Sequence, residues 1–213
     1  THGKTTISTL VAHILRQSGF GCNAFMGGIS VTSDPNYWSS PRTVAVVEAD
    51  EYDRSFLKLS PDVALISAMD PDHLDIYGTR EHMEEAFVEF AGRIKPDGLS
   101  LTKFGLPEKG FRKKGHLRYS LQNDAADCFA SDITMRNGGY EFNVVVPSGM
   151  IEGLKLHMGG MHNVENTVGA VAIADYLKIE PAKIRDAVSV FKGVRRRFEY
   201  IIGPGEAEKQ KNN

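Results

Sequence analysis

Residues 1–6 read THGKTT, and an apolar repeat at helical spacing starts directly behind them. A glycine-lysine-threonine at the mouth of a helix has a physical purpose. Loop amides and the helix N-terminus surround phosphate oxygens, the lysine neutralises them, and a hydroxyl reaches a divalent cation. Lys4 and Thr5 fit the last two roles, and Thr1, His2, Gly3 and Thr6 make up the rest of the loop. The complete signature asks for another glycine five positions before Gly3, upstream of this sequence. The same residues also suit an ordinary helix start, with Thr5 and Thr6 capping the first turn and Lys4 in solvent. The choice depends on what the rest of the chain offers.

Behind the loop, Ile7, Leu10, Val11, Ile14 and Leu15 share one helical face, and Gly19 supplies a C-terminal cap. Two short apolar runs follow, TVAVVEAD from Thr43 and DVALISAMD from Asp62, and both end in acidic residues. They read as buried parallel strands. Between Thr79 and Ile94, Met83, Ala86, Phe87, Phe90 and Ile94 form the apolar stripe of an amphipathic helix. Helix alternating with buried strand predicts an α/β fold, a P-loop-type, doubly wound, mostly parallel sheet flanked by helices. Its ligand crevice lies beyond the strand C-termini.

From Cys128 to Met158 the pattern changes to alternating segments broken at Asn137-Gly138-Gly139 and Pro147-Ser148-Gly149, which predicts a small antiparallel β meander. Two closing helices are expected, one across NVENTVGAVAIADYLK and one from Pro181. The basic run KGFRKKGHLR from Lys109 reads as a solvated loop. The expected organisation is one domain over residues 1–202 and a polar, disordered tail over 203–213.

Composition excludes several classes. A net charge of -2 gives no strong field toward nucleic acid or anionic lipid. The only cysteines, Cys22 and Cys128, have neither metal-ligand spacing nor the density of a disulfide framework, which fits a reducing, cytoplasmic setting. No apolar run approaches the roughly 20 residues that cross a bilayer.

Four clusters could join the loop in chemistry. VVEADEYD sets Glu48, Asp50, Glu51 and Asp53 just past a strand, where hard oxygen ligands reach a magnesium shared with phosphates; Glu48 is the best placed. Without a phosphate loop it would read as a solvated acidic turn. MDPDHLDIYG packs Asp70, Asp72, His73 and Asp75 at a second strand tip, so His73 is a candidate metal ligand, although a lone histidine is more often structural. GGMHNVENTVGA carries His162, Asn163 and Asn166, which alone would read as a helix cap. Finally, FKGVRRRFE brings Arg195, Arg196 and Arg197, one of which could fork onto a moving phosphate; unaided, the triplet reads as surface charge.

Taken in order, THGKTT, EADEYDRSF, DPDHLDIYGT, GMHNVENTVGA and GVRRRFE resemble the ATP-binding central domain of the Mur ligases over nearly all of residues 1–202. The resemblance implies ATP and Mg2+ as cofactors. Lys4 would hold the β- and γ-phosphates, Thr5 and Glu48 one magnesium, and His73 a second. Lys4, Glu48 and His73 would be the catalytic set. His162, Asn163 and Asn166 would lie near adenine, and Arg197, more than Arg196, would contact phosphate. The implied reaction activates a carboxylate as an acyl phosphate, which an amine then attacks. Within the family the motifs look most like the member that joins L-alanine to UDP-N-acetylmuramate. An alternative is the wall-recycling member that joins a tripeptide to the same sugar acid. Several relatives place a carbamylated lysine downstream of the metal-binding histidine, whereas no lysine lies between His73 and Lys95 here. The family's N-terminal domain, which binds the UDP-sugar, and its C-terminal domain, which brings the amino acid, are not within these residues, so the 213 residues alone should not ligate. A GTPase-like switch is the competing class, but the nearest string to a guanine motif, TKFG at Thr102–Gly105, lacks the aspartate it needs.

Overall fold

A computed structural model describes residues 2–26, 37–51, 54–70, 77–107, 110–111 and 115–194. The first helix, α1 (Lys4–Gln17), springs from Gly3. Gly3 has φ +83°, a conformation open to glycine and costly for residues with a β-carbon. The helix is buried along residues 5–15, including its polar Thr5, Thr6, Ser8, Thr9 and His13, so it is a central element and not a surface one. It ends as expected at Gly19, whose amide bonds the Arg16 carbonyl at 3.1 Å.

Strands β1 (Asn23–Phe25), β2 (Tyr37–Trp38) and β3 (Ala45–Val47) form a small sheet in the order β2-β1-β3, with β1 and β3 parallel. A 3-10 turn at Ser55–Lys58 leads to β4 (Val63–Ile66). Then come α2 (Arg80–Gly92), β5 (Leu99–Lys103), β6 (His116–Ser120), β7 (Cys128–Arg136), β8 (Gly139–Val146) and β9 (Gly149–Leu156). The six strands β4 to β9 make one sheet in sequence order, parallel through β7 and antiparallel beyond. The meander is therefore the continuation of the parallel sheet. Helices α3 (Met161–Tyr176) and α4 (Pro181–Val190) close the chain.

Two cores occupy the two faces. The larger gathers Ile7, Leu10 and Ile14 of α1, Val164, Val168 and Val171 of α3, Ile184 and Val188 of α4, and the inner face of β7 to β9. The smaller packs Met83, Phe87 and Phe90 of α2 against Phe56, Ala64 and Ile66. Helices on both faces of a mostly parallel sheet are the doubly wound arrangement read from the sequence. Two features differ from expectation. The tail of the basic run, His116 to Arg118, pairs as part of β6 and is not loop. Strands β1, β2, β5 and β6 were not foreseen, because each is short or masked by charge. The expected tail at 203–213 lies outside the described residues.

Candidate functional site

Two strand ends and one helix start converge on the loop. Glu48 follows β3 directly, and its carboxylate Oε1 accepts a hydrogen bond of 2.7 Å from the Thr5 hydroxyl. Glu51, three residues on, is 3% exposed and takes an ion pair from the Lys4 ammonium, with Asp50 a second carboxylate at 3.8 Å. Burial alone would raise the Glu51 carboxyl, but the hydrogen bond from Lys4 and nearby positive charge outweigh it and leave its pKa lowered. The Tyr77 hydroxyl donates to the Glu51 carbonyl at 2.6 Å, and the Arg54 guanidinium covers that ring at 4.9 Å. The acidic turn is thereby held from below.

At the tip of β4, the Ser67 hydroxyl donates to the His2 carbonyl, and the His2 ring pairs with Asp70 at 3.0 Å. On the other side, Asn166 of α3 approaches the loop so closely that a β-carbon on Gly3 would come within 2.5 Å of its Oδ1. The loop is clamped between β3, β4 and the first turns of α3.

This geometry sorts the sequence candidates. Lys4, Thr5, Glu48 and Asn166 meet at one place, with Gly3 and His2 framing it. Thr6 is buried in α1. Asn163 is buried and donates its side-chain amide to the Gly159 carbonyl at 2.7 Å, the work of a helix cap. His162 is exposed and lies against Gly160. Thr1, His73, Asp72, Asp75 and Arg195 to Arg197 lie outside the described residues. Among the described residues no three acidic, histidine or cysteine side chains cluster as a metal cage. Thr5 and Glu48 nonetheless fit magnesium, which takes one or two protein oxygens and completes its shell with water and phosphate. The sequence shows Glu51 only as one member of an acidic run, three residues past Glu48, and only the fold shows it facing Lys4.

Residues 1–174 match the model of the Mur ligase middle domain. The chain belongs to the Mur ligase family. It is 43% identical over 205 residues to a UDP-N-acetylmuramate–L-alanine ligase of Porphyromonas gingivalis, covering 95% of this chain and 45% of that protein. It is 42% identical over 202 residues to the ligase of the same name from Christiangramia forsetii, covering 95% and 43%. Among solved structures, the UDP-N-acetylmuramate-alanine ligase of Thermotoga maritima superposes with a TM-score of 0.82 at 26% identity, over 97% of this chain and 46% of that one. A UDP-N-acetylmuramate:L-alanyl-gamma-D-glutamyl-meso-diaminopimelate ligase from Neisseria meningitides shares the fold, with a TM-score of 0.76 at 21% identity over 92% and 65%. The chain spans under half the length of the curated relatives it matches. No described helix is long and apolar enough to cross a membrane.

Proposed function

We propose that the chain is the ATP-binding segment of a cytoplasmic ligase that joins L-alanine to UDP-N-acetylmuramate. The observation that carries the reading is the 2.7 Å contact between Thr5 and Glu48, which brings a loop hydroxyl and a strand-tip carboxylate to one point beside Lys4. That is the donor set for a phosphate-bound magnesium, and the relatives named above supply the substrate class.

In this reading Lys4 leaves its carboxylate partners and places its charge on the β- and γ-phosphates of ATP. Loop amides from Gly3 onward hold the phosphate oxygens at the N-terminus of α1. Asn166 keeps the loop against α3, so the phosphates meet a fixed surface. Thr5 and Glu48 would hold a magnesium ion, which neutralises charge as the phosphoryl group moves to the sugar's carboxylate. The acyl phosphate so formed is then attacked by the amino group of alanine, phosphate leaves, and an amide remains. No enzyme nucleophile is needed; the chain's residues position and neutralise. His73 and Arg197 belong to the same proposal as a second metal ligand and a phosphate contact. The UDP-sugar and alanine would dock on parts of the longer protein outside these residues.

The test uses the full-length protein. ATP binding measured by calorimetry should require magnesium and weaken at least about tenfold in Glu48→Ala, the loss of one charge-assisted contact. ADP release should be driven by L-alanine with UDP-N-acetylmuramate. Preference for a tripeptide would assign the recycling reaction instead, and GTP binding with ATP ignored would remove the ligase reading altogether.

A further inference from the structure

Lys4, Asp50 and Glu51 meet beneath the loop, and water reaches them unequally. The Asp50 side chain is 63% exposed and that of Lys4 24%, but that of Glu51 only 3%. The backbone keeps Glu51 there. Its carbonyl accepts from the Tyr77 hydroxyl at 2.6 Å and from the Arg54 amide at 3.2 Å, and Tyr77 is itself buried. The neighbouring Asp50 carbonyl accepts from the Phe56 amide and the Ser55 hydroxyl, both at 3.3 Å, and Phe56 is rooted in the smaller core. A turn pinned on both sides keeps Glu51 buried whatever its side chain pairs with.

Lys4 is placed differently. It is the first residue of α1, directly behind Gly3, at the helix end where phosphate oxygens bind. On the ligase reading, on which this inference rests, ATP draws the ammonium to its phosphates and Glu51 loses its main partner. A buried carboxylate in that position must find another cation, move to water or take a proton.

The surrounding groups decide among these. Its own turn offers Asp50, a like charge, Glu48, which is engaged by Thr5, and Arg54, whose guanidinium lies over the Tyr77 ring at 4.9 Å. Toward α2, the Tyr77 hydroxyl is engaged by the Glu51 carbonyl, and His82 turns its Nδ1 to the Tyr77 carbonyl at 3.2 Å. Burial opposes the charge most, the hydrogen bond from Lys4 is the largest support for it, and the Glu51 amide gives less. The amino group that begins this chain also lends positive charge, and in a longer protein a neutral peptide bond stands in its place. A second cation would have to leave its own contact, and the pinned turn bars the way to water. The proton is the course that requires no rearrangement.

We propose that Glu51 is a positioning residue for Lys4: it seats the ammonium between nucleotides, and ATP binding transfers one proton from solvent to the Glu51 carboxylate as Lys4 moves to the phosphates. The carboxylate and the proton give a carboxylic acid, Lys4 stays an ammonium, and no other bond changes. The sign of the pH dependence follows. The nucleotide-bound protein holds the extra proton, so a falling pH favours ATP and a rising pH favours Lys4 on Glu51. The window opens above the nucleotide-free carboxyl, which Lys4 holds below the usual carboxylate range against its burial, and closes at the bound one, which burial raises once Lys4 has gone.

Calorimetry of ATP binding to the full-length protein tests this, with magnesium in excess, no sugar acid, and two buffers of unlike ionisation enthalpy. At about pH 6 the unmodified protein is expected to take up at least about half a proton more than Glu51→Gln, which mimics the neutral form. Between about pH 8 and about pH 6 its affinity for ATP should rise at least about fivefold relative to that of the variant. Asp50→Asn removes the exposed neighbour and should keep the uptake, a split that mere loss of negative charge would not produce. Equal uptake by the unmodified and Glu51→Gln proteins would overturn the proposal. So would uptake lost in Asp50→Asn and kept in Glu51→Gln. If Glu51→Gln does not fold, infrared difference spectra of the unmodified protein decide the matter. ATP should then raise the carbonyl band of an un-ionised carboxylic acid, and a spectrum without that band overturns the proposal. If ATP does not bind in magnesium at all, the ligase reading fails and takes this inference with it; binding without the proton removes this inference alone.

Discussion

At the residue scale the loop is held by an ion pair that a nucleotide must break. Glu51 is nearly sealed from solvent while Lys4 is about a quarter exposed, so the carboxylate depends on the ammonium more than the reverse. Lys4→Ala should therefore destabilise the nucleotide-free protein by about 2 kcal/mol, because it leaves a buried carboxylate short of its main partner. Adding Glu51→Gln should recover much of that loss, and a chemical-denaturation cycle measures both. Additive single effects would show that the pair is not coupled in solution. Gly3 fixes the loop differently. Gly3→Ala meets Asn166 at 2.5 Å and strains a φ of +83°, so it should abolish nucleotide binding, and Asn166→Ala alongside it should restore only the part owed to the clash. Most of this was readable in THGKTT and EADEYD, since Lys4, Thr5 and Glu48 are chosen by chemistry. The partners Tyr77, Ser67 and Asp70 were not readable, because they reach the site from elements far along the chain, and single-chain spacing carries no such distance.

At the scale of elements, a buried histidine ties α1 to α4. His13 is 2% exposed, its Nε2 donates to the Ala187 carbonyl at 2.9 Å, and its ring lies 5.1 Å from that of Phe191. Burial lowers its pKa below 6.5, against the opposing pull of the carbonyl. The unfolded chain therefore binds the extra proton first as pH falls, so this contribution to stability is whole above about pH 6.5 and is lost as the pH drops toward the folded value. Denaturant midpoints taken between pH 7.5 and 5 should fall, and His13→Gln, which keeps a donor for the carbonyl, should flatten that fall. An unchanged slope in the variant would assign the pH dependence to other groups. The helices themselves were legible: α1, α2, α3 and α4 all appear where their apolar stripes and end signals put them. The strands β5 and β6 were harder. LSLTK of β5 is half polar, and its Ser100 and Thr102 are buried only because strands flank it on both sides. HLRYS of β6 carries its one fully buried residue, Tyr119, behind a basic run. Propensity reads neither, since pairing with neighbours decides both.

Across the whole molecule, the split between the two sheets predicts unequal firmness. Cys22 stands beside the small sheet, with its thiol against the Ala12 carbonyl, whereas Cys128 begins β7 in the middle of the large one. Burial pushes both thiols up, to about 11 and about 12, so neither offers appreciable thiolate near pH 8 without an opening of the structure. The openings differ in cost. Freeing Cys22 requires displacing three short strands whose rim already exposes Phe25 and Val47, while freeing Cys128 requires parting β6, β7 and the larger core. In the 213-residue chain, Cys22 should therefore react with a disulfide reagent faster than Cys128, by at least about tenfold, a gap of roughly 1.4 kcal/mol in opening free energy. Site-resolved mass spectrometry of the labelled cysteines reads both. If Cys128 reacts first, the two sheets are not the mechanical units that their separate pairing implies.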